Sequence, residues 1–400
     1  MKNISVTAPK GFLAAGVACG IKGSGNPDLG LLYCPTGAKA AAVFTTNRIV
    51  SAAVHVCREH AKNRKVYGVV VNSGNANACT GQRGLADAEK MCVAAARHIG
   101  RKPAQVLVAS TGIIGEHLPM NKVTAGIALA AAELAETAKA GNALARAIMT
   151  TDTRPKQAVR TVRLGGTTVT LAGAVKGAGM IGPNMATTLL FLTTDAVIGK
   201  GLLAAALKSA VGASLNRLTV DGHQSTNDTA ILLASELAGH RPIASRGTAY
   251  GKFATALTDL CTDLTRQMAL DAEGATRMFK VVIEGAATTT DAARAARAVA
   301  DYPLVKCAVH GGDPNWGRII CAVGSAGVRL NPEKLSCRLD KLYVFRNGAP
   351  TRFDARQAAR IVSQKEHTIT VNLGLGRRSD FCYGCDLTAE YVRINADYHT

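Results

Sequence analysis

The chain has 400 residues, 48% of them hydrophobic, and its mean hydropathy is +0.11. This length and composition are sufficient for a large buried core, and they allow two or three domains. No apolar run approaches the ~20 residues that a membrane-spanning helix requires, and the N-terminus has no apolar signal core, so we expect a soluble, cytoplasmic protein.

The formal net charge of +19 raises the question of a nucleic-acid partner. Residues 1–186 hold 22 lysine and arginine residues against 8 acidic residues, so most of the excess lies in this part of the chain. The basic residues are dispersed, and aromatic residues, on which single strands stack, amount to only 4%. A nucleic-acid binding protein is therefore a hypothesis that rests on charge alone. A diffuse positive field also attracts small anions, so the charge does not require a nucleic-acid partner. We expect neither a nucleic-acid nor a membrane partner.

The eleven cysteines are an odd number, which fits a reducing compartment. The pair Cys382 and Cys385 has C-x-x-C spacing, but no second pair exists to complete a structural zinc site, so we expect no metal. Cysteines within apolar runs are expected to be small buried hydrophobic residues. These are Cys19, Cys57, Cys92, Cys307 and Cys321.

Hydrophobic periodicity predicts a mixture of strands and helices. In chain order these are a strand at 66–73, a helix at 86–99, a strand at 105–111, helices at 120–139 and 142–149, strands at 158–164, 167–175 and 187–194, a helix at 201–215, a strand at 227–235, a helix at 250–270, a strand at 275–286, a helix at 291–300, a strand at 304–312, a helix at 354–365 and a strand at 367–375. The lack of regular alternation favours an α+β fold of layered sheets flanked by helices over a doubly wound parallel sheet.

The stretch 176–195, KGAGMIGPNMATTLLFLTTD, joins a glycine-rich loop to a threonine-rich strand. Its glycines reach backbone conformations that other residues avoid, so the loop can be tight and strained. The small residue Ala186 then meets the hydroxyl residue Thr187 at a loop-to-strand junction. Two interpretations follow from these residues, and composition alone favours the simpler one, a glycine loop that enters a buried strand.

The second interpretation is an N-terminal nucleophile. The Thr187 hydroxyl would attack the Ala186 carbonyl to form an ester, which water then opens. Cleavage gives Thr187 an α-amino group with an unperturbed pKa of ~7.7–8.0, which can serve as the general base for its own hydroxyl.

Eight sequence blocks resemble, in one order along nearly the whole chain, the ornithine acetyltransferase family, also called the bifunctional glutamate N-acetyltransferases of cyclic arginine biosynthesis. They are NSGNANACTG at 72–81, STGIIG at 110–115, MTTDTRPK at 149–156, KGAGMIGPNMAT at 176–187, DGHQSTNDT at 221–229, DAEGAT at 271–276, GGDPNWGR at 311–318 and INADYHT at 394–400. One departure lies at 221–224, where DGHQ replaces the DGD-type start expected of the family.

The resemblance implies an N-terminal-nucleophile-like architecture and self-cleavage into residues 1–186 and 187–400. The two pieces are expected to stay associated, as a dimer of such pairs. The implied reaction moves the acetyl group of N2-acetyl-L-ornithine to L-glutamate through an acetyl-threonine intermediate. No cofactor is implied, although acetyl-CoA is a candidate second acetyl donor. The alternative is a related amidase or aminopeptidase, in which water replaces glutamate.

The resemblance also assigns site residues. Thr187 is the nucleophile, and Thr111 and Gly112 match the positions that form the oxyanion hole through a hydroxyl and a backbone amide. A cation and an anion should flank the nucleophile to hold an amino-acid substrate, and Lys176 and Glu273 match those roles, with Glu273 taking the ornithine ammonium group. The remaining substrate-binding positions are Thr150, Asn395 and Thr400.

Overall fold

The computed structural model describes residues 3–182 and 188–397. The strands in these residues are β1 (Leu13–Val17), β2 (Leu29–Phe44), β3 (Val66–Asn75), β4 (Val106–Ile113), β5 (Lys156–Leu164), β6 (Thr167–Lys176), β7 (Leu189–Thr194), β8 (Thr229–Ala234), β9 (Met278–Ala286), β10 (Ser336–Leu339), β11 (Leu342–Arg346), β12 (Ala349–Pro350), β13 (Glu366–Asn372) and β14 (Arg378–Cys385).

The helices in the same residues are α1 (Ala52–His60), α2 (Gly81–Ile99), α3 (Met120–Ala132), α4 (Ala138–Ala147), α5 (Lys200–Ala213), α6 (Thr248–Ala269), α7 (Thr289–Asp301), α8 (Pro303–Gly311), α9 (Trp316–Gly324), α10 (Ala355–Val362) and α11 (Ala389–Asp397). None of these helices is long and apolar enough to cross a membrane.

The larger sheet carries the candidate site. Its strand order is β4-β3-β2-β8-β7-β6-β5, and β1 pairs with β2 outside this path. The pairs β3 with β4 and β7 with β8 are parallel, and the others are antiparallel. Every residue of β7 and β8 is buried, because these central strands are covered on both faces. The threonine-rich strand that follows the glycine loop therefore lies inside the sheet and not at its edge.

The same strand order interleaves the two halves of the chain. Strands β7 and β8 follow residue 187, yet they lie between β2 and β6, which precede it. Six residue pairs join β6 to β7, and six join β2 to β8. Both edges of the second half's strand pair are thus hydrogen-bonded to the first half.

The second sheet has the order β12-β11-β10-β13-β9-β14. Helices α7 and α9 pack against the second sheet in one hydrophobic cluster. The larger sheet contributes to two other clusters, one with helices α1 to α4 and one with helices α5 and α6. The α+β prediction of sheets flanked by helices is confirmed.

Three local predictions were wrong. Residues 304–311 belong to helix α8, not to a strand, because Pro303 begins the helix and Gly312, in the left-handed conformation at φ 68°, ends it. Cys307 and Cys321 lie on helices and are exposed, although they stand in apolar runs. The helix expected at 120–139 ends at residue 132, and α4 begins at residue 138.

Candidate functional site

A cleft lies where β4 and β6 end, beside the loop that leads into β8. It contains the six predicted catalytic and substrate-binding residues that the structure describes, Thr111, Gly112, Thr150, Lys176, Glu273 and Asn395. The predicted nucleophile Thr187, its cleavage partner Ala186 and the substrate-binding candidate Thr400 lie outside the described residues. The other residues that line the cleft are Ala76, Ile114, Thr151, Gly179, Met180, Ser225, Thr226 and Asn227.

The predicted oxyanion donors lie at the end of β4. Position 112 has no room for a side chain and therefore requires glycine. Its φ is +134°, and a Cβ atom there would stand 2.3 Å from the carbonyl carbon of Gly74 on the neighbouring strand. Only glycine fits such a close approach of two backbones. Thr111, one residue earlier, is buried to 4% exposure and still lines the cleft.

Asn227 fixes this turn from the other side. Its side-chain nitrogen donates to the carbonyl oxygens of Ala76 at 2.6 Å and Ser110 at 2.7 Å. The amide therefore joins the segments that follow β3 and precede Thr111. Asn227 belongs to the DGHQSTNDT block but was not predicted as a site residue, because the sequence does not reveal which backbone groups a buried amide contacts.

Lys176 is the last residue of β6 and is 3% exposed. Its Nζ donates to Oγ1 of Thr111 at 3.1 Å. Burial lowers the pKa of Lys176 below its ordinary value, and this effect is opposed by the negative charge of Asp152, Asp228 and Glu273. The predicted cation therefore touches the predicted oxyanion donor directly.

Glu273 lies across the cleft and accepts a hydrogen bond at each carboxylate oxygen. Thr151 Oγ1 donates to Oε1 at 2.6 Å, and Asn395 Nδ2 donates to Oε2 at 2.8 Å. Gly179 makes room for this carboxylate, because a Cβ atom at residue 179 would stand 2.2 Å from Oε2. The glycine loop and the predicted anion are therefore packed against each other.

A buried charge cluster lies next to the residues that line the cleft. Lys156 forms ion pairs with Asp152 and Asp271, and these three side chains are at most 4% exposed. Asp152 also accepts hydrogen bonds from the backbone nitrogens of Thr150 at 3.0 Å and Gly177 at 2.9 Å. Burial acts to raise the pKa of Asp152, but Lys156 and Lys176 hold it at about 2. The cluster thus fixes the backbone of Gly177, which follows Lys176, and of Thr150, which lines the cleft.

Two aspartates hold the segments on either side of residues 183–187. Asp228 Oδ1 accepts from the backbone nitrogen of Thr188 at 2.7 Å, and burial raises the pKa of Asp228 well above its ordinary value. Asp221 Oδ2 accepts from the backbone nitrogen of Met180 at 2.7 Å and from the Tyr391 hydroxyl at 3.1 Å. His223, part of the departure from the family pattern, is exposed and lies 3.6 Å from the Asp221 carboxylate.

Cys382 and Cys385 lie on one strand, β14, three positions apart. Such residues point to opposite faces of a strand, and accordingly Cys382 belongs to the cluster of the second sheet and Cys385 to that of α5 and α6. Burial raises the pKa of both thiols. The C-x-x-C spacing therefore reflects two separate core positions.

Together the described groups provide two oxyanion-donor candidates, a buried cation and a carboxylate around one cleft. This set suits acyl transfer to and from a substrate with both a carboxylate and an ammonium group. It would hold the substrate by charge and stabilise a tetrahedral oxyanion.

Comparison with known proteins supports the same class. The sequence profile of the ArgJ family matches residues 13–400. The protein named arginine biosynthesis bifunctional protein ArgJ of Symbiobacterium thermophilum is 46% identical over 397 residues, covering 99% of this chain and 98% of the relative. Its namesake from Bacillus thuringiensis is 42% identical over 401 residues, covering 100% and 98%.

Two solved structures are also similar. ArgJ from Bacillus halodurans is 39% identical with a TM-score of 0.51, and the match covers 52% of this chain and 98% of that one. The ornithine acetyltransferase of Mycobacterium tuberculosis, complexed with ornithine, is 36% identical with a TM-score of 0.42, covering 47% and 98%. The chain therefore belongs to the ArgJ family of arginine-biosynthesis acetyltransferases.

Proposed function

We propose that the protein is a self-processing acetyltransferase that moves the acetyl group of N2-acetyl-L-ornithine to L-glutamate. The observation that carries the proposal is the cleft in which Thr111, Gly112, Lys176 and Glu273 come together, with Lys176 paired to Leu189, the first residue of β7. Residues from positions 76 to 395 line this cleft, so one site uses both halves of the chain.

In the proposed reaction the Thr187 hydroxyl attacks the acetyl carbonyl of acetylornithine. The α-amino group of Thr187 takes the hydroxyl proton, and Thr111 and Gly112 donate to the oxyanion. The carbon–nitrogen bond then breaks, ornithine leaves with the proton, and an acetyl ester remains on Thr187. The amino group of glutamate attacks this ester in the reverse sequence, which gives N-acetylglutamate and restores the hydroxyl.

The charges of the cleft complement those of an amino-acid substrate, which supports the proposed substrates. Lys176 offers an ammonium group to a carboxylate, and Glu273 offers a carboxylate to the side-chain ammonium of ornithine. Thr151 and Asn395 hold the Glu273 oxygens in place, so the anion is positioned before the substrate arrives. Thr150 lines the same cleft, and we assign it a contact with the substrate.

Cleavage at the Ala186–Thr187 bond is part of the proposal. The match with the solved Bacillus halodurans chain covers 98% of that chain but only 52% of this one. The solved chain therefore has about half the length of this protein. That is the length expected of a piece produced by a cut near the middle. The interleaved strands β7 and β8 would keep the pieces together, and we propose a dimer of such pairs.

The experiment that tests the function uses the purified protein with acetylornithine and glutamate, with and without acetyl-CoA. Formation of N-acetylglutamate and ornithine in equal amounts is expected. If acetyl-CoA alone supports N-acetylglutamate formation, the protein is bifunctional, in line with the name of its relatives. Release of acetate with no dependence on glutamate would instead identify the alternative, an amidase in which water is the acceptor.

A further inference from the structure

We infer that Lys176 is a positioning residue of the oxyanion hole: its ammonium group fixes the direction in which the Thr111 hydroxyl donates its hydrogen. This role rests on the proposed acyl transfer and adds to the contact with a substrate carboxylate. It assigns Lys176 an effect on the chemical step that does not depend on any charge of the substrate.

The argument begins with the hydrogen-bonding capacity of the two groups. An ammonium group has three donors and no acceptor, whereas a hydroxyl has one donor and can also accept. Lys176 Nζ lies 3.1 Å from Thr111 Oγ1, so the hydroxyl oxygen must be the acceptor of this bond. The single hydrogen of Thr111 then has to point elsewhere.

No acceptor takes that hydrogen within the described part of the chain, although Thr111 is only 4% exposed. Thr111 lines the cleft, where the developing oxyanion would be an acceptor for its hydroxyl. A donor that is already oriented costs no reorganisation when charge develops, which is the condition for strong oxyanion stabilisation.

Lys176 is itself held firmly. Its backbone pairs with Leu189, the first residue of β7, at the end of the β6–β7 ladder. Burial opposes the charged form of Lys176, and so do the positive charges of Lys156 and of Lys22 in the loop after β1. The carboxylates of Asp152, Asp228 and Glu273 favour the charged form. A neutral amine at this position could accept from Thr111, and it would then take the hydrogen away from the oxyanion.

The test is a double-mutant cycle on the full chain with Thr111→Ala, Lys176→Met and the double variant. Two reactions are followed: acetyl transfer from acetylornithine to glutamate, and hydrolysis of 4-nitrophenyl acetate. The ester forms the same kind of tetrahedral oxyanion but carries neither an ammonium group nor a carboxylate. Denaturing gels establish that each variant is cleaved, and circular dichroism establishes that each is folded.

Thr111→Ala should lower kcat by roughly 10²- to 10³-fold, the usual cost of one oxyanion donor. Lys176→Met should lower the turnover of both reactions. In the ester reaction, which offers Lys176 no carboxylate, it should add little in the Thr111→Ala background, because both changes remove the same oriented hydrogen. Unchanged ester turnover in Lys176→Met, or ester losses that multiply in the double variant, would overturn the inference.

Conservative variants cover the case in which Lys176→Met does not fold or mature. Arginine is also a donor without an acceptor, whereas the glutamine amide oxygen can accept from Thr111. Lys176→Arg should therefore retain much more ester turnover than Lys176→Gln, and equal turnover would contradict the role. A wild type that hydrolyses the ester but moves no acetyl group to glutamate would contradict the proposed function, and the ester cycle would still decide this inference.

Discussion

Asn395 donates from Nδ2 to Oε2 of Glu273 at 2.8 Å, although 122 positions separate the two residues in the chain. Chain termini are commonly frayed, but helix α11 places this asparagine in the cleft with Thr111 and Lys176. A second side-chain bond, from the Tyr391 hydroxyl to Asp221, also ties α11 to a distant part of the described structure. No residue of α11 is buried.

Glu273→Gln should mainly raise KM for acetylornithine, because it removes a charge that faces the substrate ammonium group in both the ground state and the transition state. Steady-state kinetics on enzyme that has been shown to be cleaved provides the measurement. Glu284→Gln is the matched control, since Glu284 pairs with Arg338 on the second sheet and does not line the cleft. Unchanged KM in Glu273→Gln would remove this residue from the substrate site.

Wild-type protein should run on denaturing gels as two pieces, residues 1–186 and 187–400, and Thr187→Ala should run as one intact chain of 41.5 kDa. Thr161→Ala, a change of an exposed threonine on β5, is the control and should be cleaved normally. The pieces should elute together without denaturant, because β7 and β8 are bonded on both sides to strands of the first piece. Identical intact bands for wild type and Thr187→Ala would contradict self-cleavage.

Lys156→Met should destabilise the protein by about 3–5 kcal/mol, because it removes the buried cation that forms ion pairs with the carboxylates of both Asp152 and Asp271. The loss of stability is measured by thermal unfolding of the proteins with Lys156 and with Lys156→Met. Both also carry Thr187→Ala, so that each is expected to be one intact chain. Lys62→Met removes an exposed ion pair with Glu59 and should change the melting temperature little. Similar melting temperatures for the two lysine variants would show that the buried cluster does not stabilise the fold.

His367 should make the fold sensitive to acid. Its ring stacks on Phe279 with centroids 6.0 Å apart, neither ring nitrogen has a partner among the described residues, and burial lowers its pKa from 6.5 to about 4. Between these values the unfolded chain binds the proton and the folded chain does not, so stability falls as pH drops from 6.5 toward 4. The contribution is on the order of 3 kcal/mol.

Denaturant unfolding of His367→Phe should therefore depend less on pH in this window than unfolding of the wild type. His223→Phe changes an exposed histidine and serves as the control. The same pH dependence in wild type and His367→Phe would show that His367 does not carry the effect.

The sequence predicted the members of the site better than their contacts. Family motifs identified Thr111, Lys176, Glu273 and Asn395, and the cleft contains all four. The bond between Lys176 and Thr111 joins residues 65 positions apart and depends on strand order, which periodicity does not determine. Thr151 was missed for the same reason, although it stands within a recognised motif.

Fold prediction failed where local signals were weak or misread. Strand β2 was not predicted, because Pro35 and Gly37 interrupt it and its pairing shifts register between Tyr33 and Ala38. The strand predicted at LVKCAVHGG is wrong because helix α8 occupies these residues, with Pro303 at its first position and Gly312 just after its end. This proline and glycine are helix boundary signals that the sequence already contains.

The acetyl-enzyme is the central claim, and intact mass spectrometry tests it most directly. Cleaved protein is incubated with acetylornithine alone, and the masses of both pieces are measured before and after glutamate is added. The proposed mechanism predicts one acetyl group on the 187–400 piece, located by fragmentation at Thr187, and its transfer to glutamate as N-acetylglutamate. No adduct on that piece, together with release of acetate that does not depend on glutamate, would contradict the mechanism.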